Sequence, residues 1–129
     1  MKIAITIWGN RISPVFDAAA TLLVAHIENR AIIKKSYTSF DPGTPFDLIK
    51  LLKKMQVPIL ICGAISTKPA DLIVESDIKL ISFVTGNAIK FLDNFARKQT
   101  IEKIFMMPGC SKQYCWRYKD KKLPISDLF

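Results

Sequence analysis

The run "PILICGAIS", residues 58–66, sets the tightest limit on the fold. It is apolar throughout, with no alternation, so a strand built from it has no face for water. Such strands occur in parallel sheets with helices packed on both faces. Helical patterns should therefore stand on either side of it, and they do. Pro45, Phe46 and Asp47 open a helix through about Gln56, with Leu48, Leu51, Leu52 and Met55 at helical spacing and Lys50, Lys53 and Lys54 outward. "STKPADLIVES" (66–76) predicts a second helix, with Ser66 or Thr67 as N-cap and Pro69 in the first turn. "IKLISFV" (78–84) reads as another strand. "NAIKFLDNFARKQ" (87–99) reads as a third amphipathic helix.

The first forty residues carry strand patterns only. "KIAITIW" (2–8) is a buried strand, and "GNRISP" is a loop that Gly9, Asn10 and Pro14 enforce. "TLLVAHIEN" (21–29) and "AIIKKSYTSF" (31–40) form a hairpin about a tight turn at Asn29-Arg30. The expected order is β-β-β-α-β-α-β-α. It describes a mixed five-stranded α/β sheet with helices on its faces. The compact unit spans 1–107, and 108–129 form a basic tail that contains two cysteines.

A chain of 129 residues, half of them hydrophobic, holds one core without staples. No apolar run reaches transmembrane length, and the N-terminus reads as a first strand rather than a signal peptide, so a cytoplasmic protein is the expectation. Three cysteines, an odd count, argue against a disulfide framework. The net charge of +8 favours anionic partners.

Ligands on such sheets sit outside the carboxyl ends of the parallel strands. Those ends carry "WGNRIS", "CGAIS" and "VTGN". In the first, Gly9 and Asn10 allow close backbone approach, Arg11 supplies a fixed positive charge and Ser13 a hydroxyl. The competing reading is a structural crossing loop anchored by Pro14 and Phe16. "VTGN" reads as a turn with an N-cap before an anion site. Cys110 and Cys115, four residues apart, are soft thiolate donors suited to zinc, iron–sulfur or molybdenum–sulfur units. Lys112, Arg117 and Lys119 would offset the charge of an anionic cluster and favour the thiolates. Two thiols do not complete a four-ligand site. Cys62 would supply a third ligand if the tail folded back, and would otherwise be a buried small hydrophobe. The single histidine, His26, lies mid-strand and reads as a packed or surface residue.

The segments "GNRISPVFD", "LICGAIS", "VTGN" and "FMMPGC", in that order and spacing, resemble the dinitrogenase iron–molybdenum cofactor biosynthesis family of NifX- and NafY-type domains. The likeness covers roughly residues 1 to 111. It implies a ribonuclease-H-like, three-layer α/β fold and a non-catalytic role: carrying an iron–sulfur or molybdenum–iron–sulfur cluster or its precursor between donor and acceptor proteins. The chain departs from the family where Val15-Phe16-Asp17 stand in place of a frequent His-Phe-Gly, whose histidine is a candidate cluster ligand. On this reading Cys110 and Cys115, with Cys62, are the metal ligands, and Asn10, Arg11, Ser13, Lys112 and Arg117 form the anion-binding wall.

Other classes fit less well. A nuclease needs clustered carboxylates for two metal ions, and the first strand contains none. The aromatic–basic run "CWRYKDKK" suggests a module for nucleic acid or an acidic protein, but it is short and lies in no recognised binding domain. The four-residue spacing of the thiols is not that of a thioredoxin-like redox pair.

Overall fold

The computed structural model describes residues 1–108 and, as backbone strands, 116–118 and 121–122. Strand β1 (Lys2–Trp8) is followed by a two-residue β2 (Arg11–Ile12), a 3-10 turn (Phe16–Ala18), β3 (Thr21–Glu28) and β4 (Ala31–Ser39). Then come α1 (Pro45–Lys54), β5 (Ile59–Ile61), α2 (Thr67–Glu75), β6 (Lys79–Ile81), α3 (Ala88–Lys98), a 3-10 turn (Lys103–Phe105), β7 (Trp116–Tyr118) and β8 (Lys121–Lys122). The sheet runs β4-β3-β1-β5-β6-β7-β8, with β2 paired to β1. β1, β5 and β6 are parallel, and the other pairings are antiparallel.

The alternation of β1 splits the core in two. Ile3, Ile5 and Ile7 face α3, where Phe91, Leu92 and Phe95 cover them. Phe91 stacks on Phe95 and meets Phe105 edge-on at 5.4 Å between ring centres. Ala4, Leu22, Val24, Leu60 and Leu80 face α1 and α2, against Leu48, Leu52, Ile73 and Val74. The Asn29-Arg30 turn forms as expected, both residues taking positive φ, as two-residue hairpins favour.

Three expectations are corrected. The described residues form eight strands rather than five. The extra ones are β2, too short to leave a periodic signal, and β7 and β8, which fall in the stretch read as a tail. The apolar run 58–66 contains only three strand residues, Ile59–Ile61. Beyond it Cys62 and Gly63 are buried, Gly63 beneath a loop crossing rather than in a longer ladder, while Pro58 and Ser66 are exposed. The strand expected over 78–84 ends at Ile81. Phe83 adopts φ +63, which takes the backbone out of the sheet.

The crossing holds the carboxyl end of the sheet together. β1 runs past β5, because its pairing with β5 stops at Ile5↔Ile61. The chain then doubles back through β2 and passes directly over Gly63. Ala64 N donates to Pro14 O (2.9 Å) and Phe16 N to Ala64 O (2.7 Å). A β-carbon on Gly63 would lie 2.2 Å from the Ser13 carbonyl oxygen and 2.6 Å from that of Pro14. Backbone, not a flexible side chain, fills the space, so no side chain fits.

Two stability predictions follow from these placements. Gly63→Ala forces the two segments apart and should cost about 3 kcal/mol, the upper range for overpacking; an unchanged urea midpoint would refute the crossing. Thr6 is fully buried, and its hydroxyl finds no partner among the described residues. Thr6→Val keeps the shape and removes the orphaned group, so urea unfolding should show a gain of about 1 kcal/mol.

Candidate functional site

Four segments converge at the carboxyl ends of β1, β5 and β6. The β1–β2 hairpin turns at Gly9 (φ +63) and Asn10, pairing Trp8 with Arg11. It is tied to "VTGN" by Ile12 N donating to Gly86 O and Ala88 N donating to Asn10 O, both 2.9 Å. The segment after β5 bonds to the one after β6: Phe83 N donates to Gly63 O (2.9 Å) and Val84 N to Cys62 O (3.1 Å). "FMM" then runs beside "FVT", with Thr85 N on Phe105 O (2.8 Å) and Met107 N on Phe83 O (2.9 Å). The backbone groups satisfy one another, so this rim is a braced surface rather than a set of loose loops.

The side chains sort into outward and inward sets. Arg11 and Asn10 are exposed on the rim, as expected of ligand-facing groups. Ser13 is not: it is fully buried, and its Oγ donates to the Val15 carbonyl at 2.8 Å. Its hydroxyl braces the loop and does not face a ligand. Cys62 is fully buried among the apolar residues of the α1/α2 face. Burial pushes its thiol pKa far up, and the Asp17 carboxylate adds to the effect. In this arrangement Cys62 packs as a small hydrophobe and presents no thiolate. Cys110, Lys112 and Cys115 lie outside the described residues. Arg117 is described only as backbone, paired with Leu80.

The start of α3 is already capped. Asn87 Oδ1 accepts from Lys90 N at 3.0 Å, and Ala88 N is bound to Asn10. "VTGN" is therefore a turn with an N-cap, and those two donors are not offered to an anion. Among the described residues, no three His, Cys, Asp or Glu side chains are grouped to hold a metal ion. His26 sits at the other end of the sheet, its Nε2 3.2 Å from Glu28.

Two rim residues, Trp8 and Phe83, escaped the sequence reading. Trp8 is 68% exposed although it ends a buried strand. Val15, already noted in the sequence as a departure from the resemblance, is exposed as well. Phe83 is partly exposed and held in the left-handed region, where a bulky side chain is an outlier. Trp8 left no signal, since only the assembled sheet shows that β1 continues beyond the strand beside it. Phe83 left none, since nothing in "ISFV" marks a positive φ.

The comparisons with known proteins agree with this architecture. The crystal structure of PH0822 superposes with a TM-score of 0.68 at 17% identity, covering 81% of this chain and 99% of that one. A putative dinitrogenase from Methanococcus jannaschii, MJ0327, superposes at 0.61 with 19% identity, covering 80% and 92%. A putative NifB protein from Thermotoga, TM1290, gives 0.60 at 15%, covering 84% and 98%. At these identities the likenesses show the fold alone. No curated protein matches the sequence. Residues 1–98, well over half of the chain, match the family described as dinitrogenase iron-molybdenum cofactor, and the chain belongs to that family.

Proposed function

We propose that this protein is a non-catalytic cytoplasmic carrier that holds an anionic iron–sulfur or molybdenum–iron–sulfur cluster, or a precursor, against the carboxyl-end rim. Donor and acceptor proteins would load and unload it. The observation that carries the reading is where the flanks of the thiol pair are anchored. Before the pair, Met107 is bonded to Phe83. After it, Trp116 is paired with Ile81, the last residue of β6. The described segments on either side of the thiol pair thus both meet the carboxyl end of β6, at the rim that carries Arg11. Family membership and the net charge of +8 support the same cargo. The order β4-β3-β1-β5-β6, an antiparallel meander joined to parallel strands, supports a ribonuclease-H-like assignment of the fold.

The donor set defines the chemistry. Two thiolates bind soft metal centres but leave coordination positions to the cargo's own sulfides or to a partner. That suits a molecule that must release what it holds. The Arg11 guanidinium would contribute electrostatically, without ligating.

The test is anaerobic reconstitution with iron and sulfide, and separately with tetrathiomolybdate, reading bound metal and visible absorption. The wild-type protein should take up a stoichiometric chromophore. The Cys110→Ser/Cys115→Ser variant should lose it while its circular dichroism stays unchanged. Absence of bound metal in the wild type would overturn the carrier reading. Equal retention by the variant would overturn the thiol assignment.

A further inference from the structure

The opposite edge of the sheet carries a feature that a cluster carrier does not need. Lys2, His26 and Lys34 are register partners on three adjacent strands, Lys2↔His26 between β1 and β3 and His26↔Lys34 between β3 and β4. Register partners share a face, with β-carbons about 5 Å apart. The row lies on the α1/α2 side, at the amino end of β1. There it borders a cleft of about 330 Å³ with Ser36, Val24 and Met55. Lys2 and Lys34 flank the imidazole from the two neighbouring strands, and two ammonium groups on one cleft favour an anion that offsets their charge.

Little on the protein does so. Lys2 Nζ donates to the Met55 carbonyl at the end of α1, 3.2 Å away, which fixes the ammonium at the cleft wall and leaves two protons for another acceptor. Glu28 lies 3.2 Å from His26 Nε2 and is itself more than half exposed. Among the described residues no carboxylate pairs with Lys2 or Lys34. The C-terminal end of α1 meets the cleft at Met55. Its carbonyl dipoles are negative at that end, and Lys2 occupies one of them.

We infer that this cleft is an anion site for a dianionic phosphate group, bound by Lys2, Lys34 and His26 with Ser36 as a neutral donor. Val24 and Met55 form an apolar wall, and the volume exceeds that of a single oxyanion, so there is room for a small organic group on the phosphate. The site is at the far end of the sheet from the rim and is independent of the cluster reading.

Isothermal titration of the full chain with inorganic phosphate, phenyl phosphate and benzoate tests it, with the His26 ring resonances followed by NMR. Both phosphates should bind saturably and shift those resonances, and benzoate should bind more weakly. Tighter binding of phenyl phosphate identifies a monoester, and equal binding identifies free phosphate. Lys34→Gln changes an exposed strand-edge residue and should weaken phosphate binding about tenfold, the worth of one charged hydrogen bond. Lys103→Gln, an equal charge loss by the rim, should leave the affinity within about twofold, because exposed charges that far apart are screened. No saturable phosphate binding by the wild type would overturn the site. Equal weakening by the two variants would do the same, because it would reduce the effect to overall charge.

Discussion

The rim depends on one backbone crossing. At Gly63 the chain that leaves β5 passes under the segment that leaves β2, close enough that a methyl group would strike two carbonyl oxygens. Hydrogen bonds on both sides of that point fix the hairpin, the 3-10 turn and the strand end relative to one another. The parallel strands themselves are short: β5 and β6 have three residues each. Such strands supply few ladder bonds. Their positions are held instead by the two apolar layers and by the braced loops at their carboxyl ends. Stability and the shape of the site thus come from the same contacts.

The parts of the fold that bury a periodic face were legible in the sequence. Helices α1, α2 and α3 fall within a residue or two of their expected bounds, because leucines and phenylalanines at helical spacing leave few alternatives. The β3–β4 hairpin was legible for a similar reason, two strand runs meeting at a turn. Misreadings occur where burial comes from non-local cover. "CGAIS" is crossed at Gly63 and Ala64 by residues 13–16, and sequence periodicity cannot distinguish that cover from a longer strand. "WRYK" alternates aromatic and basic residues, which fits both a stacking surface and a strand. The backbone of Trp116–Tyr118 takes the second role.

The candidate site was legible in outline. The described residues of all four segments that carry the family resemblance meet at one rim, as strand ends in an open α/β sheet predict. The fate of individual side chains was not. Arg11 and Ser13 are two residues apart in one loop, yet one is exposed and the other is buried against its own loop carbonyl. The difference arises from the crossing, which covers Ser13 and leaves Arg11 on the hairpin. The basic row at the opposite edge was invisible for another reason: Lys2, His26 and Lys34 become neighbours only once three strands are in register.

The burial of Cys62 has a use apart from any cargo. Alkylating reagents attack the thiolate, and this thiol is denied both ionisation and contact with solvent in the folded chain. Its labelling must wait for the layer between the sheet and the α1/α2 pair to open. Cys62 is therefore a built-in clock for that opening. The ratio of its labelling rate in the native protein to that in the unfolded chain reports the free energy that holds the layer shut.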